Sequence, residues 1–167
     1  MATAADYIRR TGIAETSLAD VMEAAGLTHG GFYRHFRNKE QLVAEALSNA
    51  GDKIIAAITR NMAKGGINAA VDVYLSTAHR DAATPICPFA ALGSELARSG
   101  DDIRAAATAA LEELLTVLAS GEVNSTARGD AIDALSTMIG AMTLARVTSG
   151  SPLSNEILER VREQLHR

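Results

Sequence analysis

TSLADVMEAAGLTHGGFYRHFRNKEQLVAEAL, residues 16 to 47, carries two short apolar patterns separated by a glycine and runs into a third, longer one. Leu18, Val21, Met22 and Ala25 recur at i, i+3, i+4 and i+7, the spacing of a single helix face. Ser17, with Asp20 three residues on, predicts a capping box at the start of this helix, and Gly26 the left-handed residue that stops it. Thr28 then caps a second helix with Phe32 and Phe36 on its inner face. Asn38, with Gln41 at the third helical position, caps a third, whose inner side carries Leu42, Val43, Ala46, Leu47, Ile54 and Ile58 and fades at Lys64-Gly65-Gly66. Two short helices joined by a tight glycine turn form a helix-turn-helix, whose second helix enters the major groove of DNA by its N-terminal end.

The composition of that second helix agrees. Gly30 and Gly31 each cost about 1 kcal/mol relative to Ala in a helix interior. What they offer in return is close approach of the backbone to a crowded surface, at a helix start whose N–H groups face anions. Thr28 to Lys39 contains His29, Arg34, His35, Arg37 and Lys39 and no acid, a positive stripe on a chain of net charge −4. That is the footprint of a phosphate backbone. The overall acidity argues against indiscriminate coating of nucleic acid but not against a local patch.

Further along, the periodicity stays helical. It predicts helices at about 68–80, 88–98 with Pro88 as first residue, 101–119 with Asp101 capping and Gly121 stopping, 125–148 and 153–166. No alternating strand pattern appears, so the fold class is all-α, and Arg80 to Pro88 reads as a linker. In 167 residues, 47% are hydrophobic and only 4% aromatic, which favours helices packed by aliphatic side chains. No run approaches the roughly 18 apolar residues of a membrane span, and a cytoplasmic protein is expected. The one cysteine, Cys87, excludes an internal disulfide framework. No metal cluster or cofactor motif is present. The His79 and Cys87 pair lacks an oxyanion motif and an orienting partner, so no enzyme is expected.

Residues 16 to 47 resemble the DNA-binding domain of tetracycline-repressor (TetR) family transcriptional regulators, with the signature G-x-x-Y-x-H-F-x-x-K matched at Gly30, Tyr33, His35, Phe36 and Lys39. The resemblance implies nine or so helices, a homodimer on a near-palindromic operator of double-stranded DNA, and a variable C-terminal domain whose small-molecule ligand relieves repression. It implies that Thr16 and Ser17 begin the supporting helix and touch phosphate, that Thr28, His29, Gly30 and Gly31 face the bases, and that Tyr33, His35 and Lys39 hold the backbone. Arg34 and Arg37 add phosphate contacts on their charge alone. The family often has Lys where His29 stands, which weakens that contact at neutral pH. Its first helix usually begins some ten residues earlier, and here Ala2 to Arg10, with Tyr7 and Ile8, remains for it. The stretch ICPFAALGSELARSGDDIRAA, residues 86 to 106, resembles a segment of one branch of the family.

The expected organisation is residues 1–46 for DNA and 47–167 for ligand binding and dimerisation. Tyr74, His79, Cys87 and Phe89 are candidate contacts for a mainly apolar effector. The helices at 125–148 and 153–166 have apolar faces that fit either ordinary core or a four-helix dimer interface. The resemblance favours the interface, through Leu135, Met138, Met142, Ile157, Leu158 and Val161. Two alternatives stand beside this: a thiol-reactive regulator using Cys87, and a helical enzyme or binding module that keeps the helix-turn-helix as scaffold.

Overall fold

A computed structural model describes residues 1–24, 26, 28–121 and 125–166, with the side chain of His29 left out. Ala25, expected on the inner face of the second helix, lies outside the described residues. Among those described there are nine helices and no strand: α1 Ala2–Thr11, α2 Leu18–Ala24, α3 His29–Phe32, α4 Lys39–Tyr74, α5 Thr77–Arg80, α6 Pro88–Leu96, α7 Asp101–Ala119, α8 Ala127–Val147 and α9 Pro152–Leu165. The all-α reading holds. The chain clusters into two compact units, one of Met1–Lys53 with Thr84–Leu111, the other of Ile54–Ala83 with Glu112–Arg167.

In the first unit the local signals act as the sequence suggests. Ser17 and Asp20 form a reciprocal capping box, Asp20 N–H donating to Ser17 Oγ at 3.1 Å and Ser17 N–H to Asp20 Oδ2 at 3.0 Å. The Ser17 hydroxyl also donates to that carboxylate, and these bonds hold the Asp20 carboxyl below its ordinary pKa. Gly26 takes φ 64° after α2. Asn38 caps α4 through Gln41 N–H at 2.9 Å, while the Gln41 side chain accepts from Arg37 N–H at 2.9 Å. The third element is shorter than its Phe32/Phe36 spacing predicts. Regular helix ends at Phe32, and a tighter turn follows in which both His35 N–H and Phe36 N–H donate to the Phe32 carbonyl. Both rings are nonetheless buried, 5.2 Å apart, because that turn keeps them on one side.

Gly51 is buried in α4 where α7 passes, and a Cβ placed there would lie 2.9 Å from the Ala110 methyl. The α4 backbone therefore sits against α7 at a distance only glycine permits. Ahead of α7 the cap is Gly100, whose carbonyl accepts from Arg104 N–H, and Asp101 instead occupies the first turn, where its charge complements the helix dipole.

In the second unit the expected fading at Lys64-Gly65-Gly66 is a break in the helical conformation, with Gly65 at φ −163°, ψ 27° and Gly66 at φ 64°, ψ −154°. The helix expected at 68–80 is interrupted after Tyr74, and Ser76 caps the single turn of α5 by accepting from His79 N–H. Two arginines dock α5. Arg146 Nη2 donates to the His79 carbonyl at 3.1 Å, and Arg80 Nη1 donates to Ser154 Oγ at 2.9 Å and Asn155 Oδ1 at 2.6 Å. Ser154, buried in α9, donates in turn to the Ala145 carbonyl of α8 at 2.6 Å. Val71, Leu75, Leu114, Met138 and Met142 are among the fully buried side chains of this unit. Among the described residues no helix is long and apolar enough to cross a membrane.

Candidate nucleic-acid interface

Between Thr28 and Asn38 two aromatic rings anchor the segment while Thr28 and Asn38 lie at the surface. Phe32 and Phe36 are buried, and Tyr33, 55% exposed, stands edge-on to Phe32 with ring centroids 5.1 Å apart. Arg34, His35 and Arg37 are exposed. The buried rings fix the backbone, and the Arg37 guanidinium donates to Gln41 Oε1 at 3.3 Å.

The two glycines differ. Among the described residues a Cβ built at Gly30 meets nothing within 4 Å, whereas one at Gly31 would lie 3.2 Å from Thr28 Oγ1, which accepts from Gly31 N–H. The protein's own packing therefore has no use for a bare backbone at Gly30, although that glycine weakens the helix. An external surface pressed against the backbone does have one. The side chain of His29 is outside the description.

The supporting residues divide more sharply. Ser17 is exposed at the start of α2. Thr16 is buried, its hydroxyl donating to the Gly12 carbonyl at 2.5 Å with Thr11 Oγ1 2.8 Å away. The Thr16 hydroxyl is thus bonded inside the turn between α1 and α2, while Ser17, at the surface, donates its hydroxyl to Asp20 Oδ2. Lys39 is half-buried, with Nζ donating to the Ile13 carbonyl at 2.9 Å, so it ties the start of α4 to the same turn. Nothing in the sequence signals this bond, which joins residues 26 positions apart.

The expected effector contacts do not share one unit. Tyr74 and His79 lie in the second, both buried, with rings edge-to-face at 4.6 Å and His79 Nδ1 2.7 Å from the Tyr74 carbonyl. Burial, with Arg146 nearby, lowers the His79 pKa to about 4 against the smaller opposing effect of the carbonyl bond. Cys87 and Phe89, also buried, belong to the first unit. In the second unit a cavity of about 290 Å3 opens at the Gly65–Gly66 break, lined by Met62, Ile67, Leu118, Ala131 and Leu165 with Asn68 and Asp130 as polar members.

The expected dimer residues also divide. Leu135, Met138, Met142 and Leu158 are buried within a single chain, all four in the second unit. Ile157 and Val161 are half-buried. The outward face of α8 carries instead Ile132, Ser136, Gly140, Leu144 and Val147, with Leu144 55% and Val147 78% exposed.

Comparison with known proteins agrees with this geometry. Residues 1–46 match the family model of bacterial regulatory proteins, tetR family. The HTH-type transcriptional regulator TtgR of Pseudomonas putida is 48% identical over 40 residues, which are 24% of this chain and 19% of TtgR; ArpR of the same species matches to the same extent. The matched segment thus spans about a fifth of those relatives. Among solved structures, a TetR transcriptional regulator from Chloroflexus aurantiacus is 30% identical with a TM-score of 0.78, over 98% of this chain and 88% of its own. NemR of E. coli in its reduced form shares the fold at 18% identity, with a TM-score of 0.81 over 98% of this chain and 91% of its own. With a match of residues 1–46 to the family model and a 30% identical TetR regulator covered over 88% of its length, the chain belongs to the TetR family of DNA-binding transcriptional regulators.

Proposed function

We propose that the chain is a sequence-specific repressor that binds a near-palindromic operator as a homodimer and is released by a small, mainly apolar effector. The observation that carries the DNA-binding part is Gly30: an exposed glycine in a helical turn, unneeded by internal packing and flanked by Tyr33, Arg34, His35 and Arg37. In this reading Thr28, His29, Gly30 and Gly31 face the bases. Ser17, Tyr33, Arg34, His35 and the outer side of Lys39 meet phosphate, which positions the protein without selecting sequence.

TetR-family regulators usually act as dimers, and two recognition segments then require half-sites roughly 34–36 Å apart or a multiple of it. We assign dimerisation to the outward face of α8 with Leu153, Ile157 and Val161 of α9. The effector site is assigned to the cavity at the Gly65–Gly66 break, whose apolar lining and two polar members suit a molecule that is mainly apolar with one hydrogen-bonding end. Such a ligand weakens operator binding by its preference for one state, typically 1–3 kcal/mol of coupling. The thiol-switch alternative has no support from Cys87, which is 1% exposed.

Selection of bound fragments from random DNA, followed by titration against salt, tests the reading. A palindromic consensus with steep salt dependence is expected. Recovery of no consensus would leave only sequence-independent binding and refute the repressor assignment. Soaking or titration with apolar ligands should perturb nuclear magnetic resonance signals of Met62 and Ile67; perturbation elsewhere alone would move the effector site.

A further inference from the structure

Helix α6 grips the DNA-binding helices at both of its ends. Just ahead of its first turn, the Pro85 carbonyl accepts from Arg9 Nε of α1 at 2.7 Å, and Arg9 is a buried arginine. At its last turn, Glu95 Oε2 accepts from the backbone N–H of Ala14 at 2.8 Å. Ala14 lies in the turn between α1 and α2, 81 residues away in sequence.

That turn has few other supports, and they converge on it. Gly12 ends α1 at φ 94°, a conformation that favours glycine, and a Cβ there would come within 2.8 Å of Glu95 Oε1 and press on the carboxylate. Thr16 bonds to the Gly12 carbonyl from within the turn, and Lys39 holds the Ile13 carbonyl from the α4 side. Ile13, Ala14, Lys39, Glu95 and Arg98 border one open groove of about 440 Å3, so solvent reaches the turn and competes for its polar groups. Ser17, which starts the capping box of α2, follows Ala14 by three residues. The position of the turn is therefore the position of the N-terminus of α2.

We propose that Glu95 is a positioning residue for DNA binding: by accepting from Ala14 N–H it fixes the α1–α2 turn and so sets Ser17 and the start of α2 against the phosphate backbone. This rests on the assignment of Ser17 to phosphate. The requirement is for an acceptor oxygen at that point, not for a charge, because the donor is a neutral backbone N–H.

Glu95→Gln and Glu95→Ala separate these requirements. Gln keeps an acceptor oxygen and Ala removes it. On the selected operator, measured by fluorescence anisotropy, Glu95→Ala should bind about tenfold more weakly at every salt concentration, with an unchanged salt slope because Ser17 carries no charge. Glu95→Gln should bind like the unaltered protein. If the effect runs through Ser17, Glu95→Ala should cost much less affinity when Ser17 is already replaced by Ala, whereas a merely destabilised protein would lose the same factor on either background. Hydrogen exchange in the DNA-free protein tests the turn itself: the amides of residues 13–20 should exchange faster in Glu95→Ala and at the normal rate in Glu95→Gln. Unchanged exchange in Glu95→Ala would overturn the role of Glu95. Faster exchange with the same loss of affinity on the Ser17→Ala background would refute the contact of Ser17 with phosphate, and with it the step from turn to DNA.

Discussion

At the scale of single residues, Gly30 and His79 show opposite relations between stability and function. Gly30 has open space where a methyl would go, so Gly30→Ala should leave the fold intact or stabilise it by about 0.5–1 kcal/mol through helix propensity. The same methyl stands between the backbone and DNA, and operator affinity should fall by tenfold or more, about 1.4 kcal/mol. Thermal unfolding and operator titration on one sample check both halves; unimpaired binding would remove the argument that Gly30 faces DNA. His79 is instead a buried structural group. Because the Tyr74 carbonyl can only accept, Nδ1 carries the proton, and burial disfavours a second proton on Nε2. Its pKa falls from 6.5 to about 4 on folding, so its stabilising contribution is complete above pH 6.5 and is lost as pH falls towards 4. The span corresponds to on the order of 3 kcal/mol at most. His79→Gln should flatten the loss of stability between pH 6.5 and 4 in denaturant unfolding curves, and an unchanged pH profile would count against the buried neutral ring.

Individual elements make clear why some features were legible in the sequence and others were not. The capping box at Ser17, the N-cap at Asn38, the glycine stop at Gly26 and the break at Gly65–Gly66 are local chemistry, complete within about four residues, and each appears where the sequence places it. The bonds of Glu95 and Lys39 to the α1–α2 turn are tertiary and have no periodicity to betray them. The bond of Thr16 is hidden for the same reason: its hydroxyl is accounted for only when the Gly12 carbonyl is in place. Helix α8 is ambiguous in a different way. Its small and apolar residues surround the helix, so periodicity does not say which apolar face meets its own core. The α4–α7 crossing at Gly51 tests packing at this scale. Gly51→Ala gains helix propensity but forces its methyl to 2.9 Å from that of Ala110. We expect a net loss of about 1–2 kcal/mol, since overpacking costs typically 1–3 kcal/mol against about 1 gained. Ala110→Gly in the same protein should recover part of it, and additive losses in the double variant would show that the two helices are not in contact there.

For the whole molecule, the proposed repressor turns on which surface joins two copies, because an operator with two half-sites is read only by a dimer. The buried set Leu135, Met138 and Met142 and the outward set Ile132, Ser136, Gly140, Leu144 and Val147 lie on different faces of the same helix, so charge placed on each has different consequences. Met138 is fully buried, and Met138→Glu should unfold the second unit by burying an unpaired carboxylate. Leu144 is 55% exposed in the single chain, so Leu144→Glu should fold normally as a monomer would. Gly140, with no atom within 4 Å of an added Cβ, allows the same test by size: Gly140→Leu should keep the chain folded and obstruct close approach of a partner helix. Light scattering with circular dichroism reads both properties. Folded monomers from Leu144→Glu and Gly140→Leu, with operator affinity reduced as the second half-site is lost, are the expected outcome. Dimers from both variants would place the interface on another face and require the two half-sites to be spaced by a different arrangement of the chains.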